Sequence, residues 1–99
     1  LIAYKLVNKR KDGLHPLFID KGRILPINEW IQAESKPTKG YKYRKGWHCC
    51  FKPVAPHLST NNRVWVSVLV EDYETYDRPE SQGGQWIIAQ RMKIEGILV

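Results

Sequence analysis

Arg63-Val64-Trp65-Val66-Ser67-Val68-Leu69-Val70 places valine at every second position. A period of two is that of a β-strand, and Trp65 and Leu69 on the alternate positions make it apolar on both sides. It reads as the central strand of a sheet. Downstream, an acidic stretch from Glu71 to Gly84 reads as a loop, with Gly83-Gly84 giving the chain freedom to turn back. Gln85 to Gln90 and Met92 to Leu98 then form one long strand or two short ones. Upstream, Trp47 to Phe51 reads as a strand and Pro53 to Leu58 as a turn or a single helical turn.

The N-terminal part supplies a hairpin. Ile2 to Val7 and Leu14 to Ile19 are apolar runs on either side of Lys11-Asp12-Gly13, where glycine provides the positive φ that a tight turn needs. Asp20 to Arg23 is a second turn, and Ile24-Leu25 a short strand. Pro26 fits the first turn of a helix, and Ile27, Trp30, Ile31 and Ala33 fall at i, i+3 and i+4 contacts, so a short helix is expected over Ile27 to Glu34. Strands outnumber helical stretches and no βα alternation appears. The expectation is one α+β domain over residues 1–99, a mostly antiparallel sheet of five to seven strands with one or two short helices; a small β-barrel is the nearest competitor.

The 99 residues carry 16 Lys and Arg against 10 Asp and Glu, a formal net charge of +6, which favours an anionic partner. No apolar run approaches the roughly 18 to 20 residues of a membrane span, so no membrane partner is expected. Cys49 and Cys50 are adjacent, a poor geometry for a structural disulfide, and a reducing cytoplasm fits best.

The charge is unevenly placed. No acid occurs from Ser35 to Val70, and Lys36, Lys39, Tyr41, Lys42, Tyr43, Arg44 and Lys45 run directly into Gly46-Trp47. Cations interleaved with rings are what a chain needs to neutralise phosphates and stack on bases, so these residues with Trp47 form the candidate nucleic-acid or partner surface. Glu71, Asp72, Glu74, Asp77 and Glu80 follow as a block of opposite sign, able to imitate phosphates against a positive channel.

Catalytic and metal signals are thin. His48, Cys49, Cys50 and His57 lack the C-x₂-C or H-x₃-H spacing of a zinc site, and on a strand the two cysteines point to opposite faces. No metal or other cofactor is expected. Alternation puts His48 and Cys50 on one face and Trp47, Cys49 and Phe51 on the other; burying the two large rings turns His48 outward. Cys50 with His48 or His57 as base is a conceivable nucleophile, but a buried free cysteine is the commoner fate. Arg78, in a loop with Gln82, is placed to clamp an anion bidentately. No phosphate loop or G-x-S-x-G elbow occurs, so enzymatic activity is not the favoured expectation.

The blocks Arg44-Lys45-Gly46-Trp47-His48-Cys49, Ala55-Pro56-His57-Leu58 and Arg78-Pro79-Glu80-Ser81-Gln82-Gly83-Gly84 resemble a family of small proteins carried by phages and prophages of gut and related bacteria. The likeness spans nearly the whole chain and implies a mobile-element origin and a place in the host cytoplasm. The cationic, ring-bearing segment, rather than this likeness, suggests a non-catalytic binding protein engaging nucleic acid or a host nucleoprotein; for a phage chain of this size, one version is an inhibitor of a bacterial defence complex. A second, weaker likeness is to ADP-ribosyltransferase-like domains. It implies a ligand-binding pocket with Tyr4, His48 and either Glu80 or Gln85 in the family roles. The alternative functional reading is a nucleotide or NAD pocket formed by Tyr4, His48, His57, Arg78, Gln82 and Trp86.

Overall fold

The computed structural model describes residues 1–17, 22–33 and 46–98. Six strands follow in order: β1 (Ile2–Arg10), β2 (Gly13–His15), β3 (Trp30–Gln32), β4 (Trp47–Cys50), β5 (Arg63–Asp77) and β6 (Gln85–Ile97). Every ladder between them is antiparallel. β5 pairs with β1 through its first half and with β6 along most of its length. On the far side β4 joins β6 to β1, the latter through Tyr4 opposite Cys50. The ring β1–β5–β6–β4 is therefore closed, and closure leaves few unpaired strand edges.

The fold is mostly β, which corrects the α+β expectation. Among the described residues the helical content is one 3-10 turn over Glu80–Gln82. The helix expected over Ile27 to Glu34 is instead extended: Ile27 bridges Ile94, and β3 pairs Trp30, Ile31 and Gln32 with Lys93, Met92 and Arg91. Four apolar residues in seven suit either period. Here β6 offers a partner, Ile31 and Ala33 are buried, and Trp30 and Gln32 are exposed, so the period of two prevails.

The acidic stretch also differs from expectation, since β5 continues through Glu71, Asp72 and Glu74 to Asp77. Tyr73, Thr75 and Tyr76 favour strand, and pairing with residues 85–91 carries the charged residues along. Alternation slips once on the way. Val66, Val68 and Val70 are buried, Asp72 takes φ 50°, and past it Tyr76 joins Trp65 in one apolar cluster. On β6 the buried set likewise changes from Met92 and Ile94 to Ala89 and Ile87. On β5 every residue from Glu71 to Thr75 is exposed, and on β6 Gln90 and Arg91 are two successive half-buried residues between buried Ala89 and Met92.

The barrel interior is filled by Ala3, Val7, Leu14, Leu25, Trp47, Cys49 and the buried residues of β5 and β6. A second cluster, Cys50, Trp86, Trp65, Tyr76 and Leu58, lies outside it beneath the 53–58 turn, where Leu58 donates to the Ala55 carbonyl. The expected β1–β2 hairpin forms about Lys11-Asp12, with Gly13 at φ 136°. Next to the turn, buried His15 bonds the Asp12 carboxylate at 2.7 Å, which lowers the Asp12 pKa. The second expected turn, Asp20 to Arg23, falls partly outside the described residues.

Candidate functional site

Lys36, Lys39, Tyr41, Lys42, Tyr43, Arg44 and Lys45 lie outside the described residues, but the points where the chain departs and returns are defined. Ala33 donates its backbone N–H to the Gln90 carbonyl at 2.8 Å. Gly46 returns against the same part of β6: a Cβ there would stand 2.2 Å from Ile88 Cγ2 and 3.3 Å from Gln90 Nε2. With φ 149° as well, only glycine fits. The segment carrying the cations is thus spliced into the barrel at one place, around Gln90.

Trp47 does not belong to an exposed surface. It is 9% exposed, packs in the interior, and donates its indole N–H to the Ile31 carbonyl at 3.0 Å. Lys5 Nζ stands 5.9 Å and the Arg23 guanidinium 5.5 Å from its ring centre. A stacking role for Trp47 is corrected on this ground: β4 points position 47 inward with Cys49, and only the next residue outward. Lys5 follows the inward side of β1 between Ala3 and Val7, and its ammonium donates to the His48 carbonyl at 2.9 Å, closing the seam beside the single β1–β4 pair. Burial lowers its pKa. Phe51, expected to share the core with Trp47, lies past the end of β4 and is exposed.

An exposed ring on the strand paired with this part of β6 is Trp30. It stays 38% exposed on β3, with the Arg91 guanidinium 5.0 Å and Lys93 Nζ 5.6 Å from its ring centre. Arg91 also bonds Glu71 at 2.5 Å. Register places all three there, since Trp30 faces Lys93 across the ladder and Arg91 faces both Gln32 and Glu71. None was singled out in the sequence. The available signal was Arg91 and Lys93 at alternate positions of one strand, but the supposed helix at Trp30 separated them from their ring.

Of the six residues set against a nucleotide, four come together. Arg78 Nε–H donates to Gln82 Oε1 at 2.9 Å, and its guanidinium lies 4.6 Å from the centre of the Trp86 ring. The Trp86 N–H donates to the Gln82 carbonyl at 2.7 Å, and His57 packs 5.8 Å from the same indole. Trp86 is buried, so its ring supports the guanidinium rather than a base. Tyr4 is joined to this row only through Cys50, which pairs with Tyr4 on one side and Trp86 on the other. His48 sits on the outward side of β4, half-buried, with Nδ1 hydrogen-bonded to the Tyr76 hydroxyl at 2.9 Å and the two rings edge to face.

Both cysteines are free and buried. Burial pushes the Cys49 thiol up to about 11; burial and the neighbouring Cys49 push Cys50 up to about 12. Such thiols stay protonated at neutral pH and do not act as nucleophiles. Among the described residues no group of three His, Cys, Asp or Glu side chains is placed to hold a metal ion, and no helix is long and apolar enough to cross a membrane. No protein-family model, curated protein or solved structure matches the chain.

Proposed function

We propose that the chain is a small binding protein that engages single-stranded nucleic acid, free or within a host nucleoprotein. One observation carries this reading: the strand pair that anchors the cationic segment at Gln90 also presents exposed Trp30 with Arg91 and Lys93 against it. Lys36, Lys39, Lys42, Arg44 and Lys45 neutralise phosphates, Tyr41 and Tyr43 offer rings, and Trp30 takes the stacking place first given to Trp47. The resemblance to phage and prophage proteins supports a place in a bacterial host's cytoplasm, where two unpaired cysteines are at home.

The test is charge reversal read by fluorescence anisotropy of a labelled oligonucleotide. Reversing Lys42, Arg44 and Lys45 to Glu abolishes binding on this reading, and neutralising Asp72, Glu74 and Asp77 leaves it intact. The opposite pattern, measured on a nucleic-acid-binding host complex, would show that the exposed acids of β5 imitate phosphates as a defence inhibitor does.

A further inference from the structure

We infer that Arg78 and His57, on the buried Trp86 indole, form a site for a phosphomonoester group, separate from the nucleic-acid face. The guanidinium is held by two contacts: Nε is committed to Gln82 Oε1 at 2.9 Å, and its carbon lies over the indole, 4.6 Å from the ring centre. Gln82 is itself fixed by the Trp86 N–H on its carbonyl, and the Arg78 backbone N–H by the Gly84 carbonyl at 2.6 Å. What remains is the edge carrying the two terminal nitrogens. No carboxylate pairs with that edge among the described residues, although Asp77 and Glu80 are close in sequence. An immobilised guanidinium edge matches two oxygens of a phosphate, and its ordering cost is already met by the fold.

His57 supplies the reason for a monoester. It is exposed, packs on the same indole, and lies close enough to Arg78 for the guanidinium's charge, after burial, to help lower its pKa. A phosphodiester has two non-bridging oxygens, both taken by the fork, whereas a monoester has a third, which can accept a hydrogen bond from the imidazole N–H. The indole face is occupied, so nothing here selects a base; the ligand class is a terminal phosphate on a nucleotide, a sugar or an oligonucleotide end.

NMR titration of the intact protein, following the His57 ring protons and the Trp86 indole N–H, tests this with inorganic phosphate, ribose 5-phosphate and dimethyl phosphate as probes. The first two are expected to shift both signals saturably, with dimethyl phosphate at least about tenfold weaker. Arg78→Gln removes the response, His57→Gln weakens phosphate several-fold while leaving the Trp86 signal as reporter, and the Lys42, Arg44 and Lys45 reversals leave it unchanged. Equal response to dimethyl phosphate, an unchanged response in His57→Gln, or loss of response in the reversed-segment variant would overturn the site. Should Arg78→Gln not fold, the His57→Gln and dimethyl phosphate arms decide. Loss of oligonucleotide binding has no bearing on these outcomes, so the two readings fail separately.

Discussion

Gly46 lies against Ile88 with no room for even one further carbon, its hypothetical Cβ falling 2.2 Å from the Ile88 Cγ2 atom. That contact, with the Ala33 to Gln90 hydrogen bond, ties both flanks of the cationic segment to one stretch of β6. Gly46→Ala is therefore expected to lose stability by about 1–3 kcal/mol, from overpacking and from a φ that alanine rarely adopts. Urea denaturation of the two proteins measures it, and an unchanged midpoint would mean that the segment is not held there.

The two tryptophans near the cations separate stability from binding. Trp47→Ala empties an interior position and removes the indole hydrogen bond to the Ile31 carbonyl, so a loss of about 3–5 kcal/mol in folding stability is expected. Trp30→Ala leaves the thermal midpoint nearly unchanged and weakens oligonucleotide binding by about 1–3 kcal/mol if one base stacks on the ring. Thermal melts and anisotropy on both variants check the pair, and equal effects on binding at matched folded fraction would speak against Trp30 as the platform.

Alkaline pH tests the buried thiols. Both cysteines have pKa values raised above 9.0 on folding, so the stability they contribute is complete below pH 9 and is lost as pH rises towards about 11 and about 12. Lys5 acts in the opposite sense: its folded pKa is lowered, so the unfolded chain holds the proton longer and stability gains as pH rises towards 10.5. Above about pH 10.5 the lysine gain is complete and only the cysteine loss continues, so melting temperature is expected to fall there, and less steeply in Cys50→Ala. A thiol reagent at pH 8 reacts with the native protein far more slowly than with protein in denaturant; equal rates would show that the thiols are accessible.

His57 gives the pH dependence its acid side. Its pKa is lowered first by burial and then by Arg78, so the folded protein resists its protonation and stability declines as pH falls below 6.5. His57→Gln should flatten a melting-temperature profile between pH 7 and pH 5. A profile identical to the parent's would place the acid-side decline on other groups.

The valines of β5, the hairpin at Gly13 and the strand character of Gln85 to Leu98 were legible because a single strong period, or one glycine at a turn, carried them. β3 was not, because Ile27, Trp30, Ile31 and Ala33 satisfy two periods, and the partner strand that selects one of them lies some sixty residues away. The continuation of β5 through Glu71 and Asp72 was hidden for a related reason, as local charge suggested solvent where long-range pairing with β6 imposed a strand. At the candidate site, the grouping of Arg78, Gln82 and Trp86 was visible as near neighbours in the chain. The inward turn of Trp47 followed from alternation with His48; its assignment to a stacking surface ignored that alternation.

The most direct test of the nucleic-acid reading is the salt dependence of binding to a single-stranded oligonucleotide of about 12 nucleotides, a length within the usual site size of such domains. Five phosphate contacts predict an affinity loss of about 100-fold between about 50 and 200 mM salt, a slope that Lys42, Arg44 and Lys45 reversal removes together with the binding. Saturable binding that ignores salt, or a salt slope that survives the reversal, would contradict it.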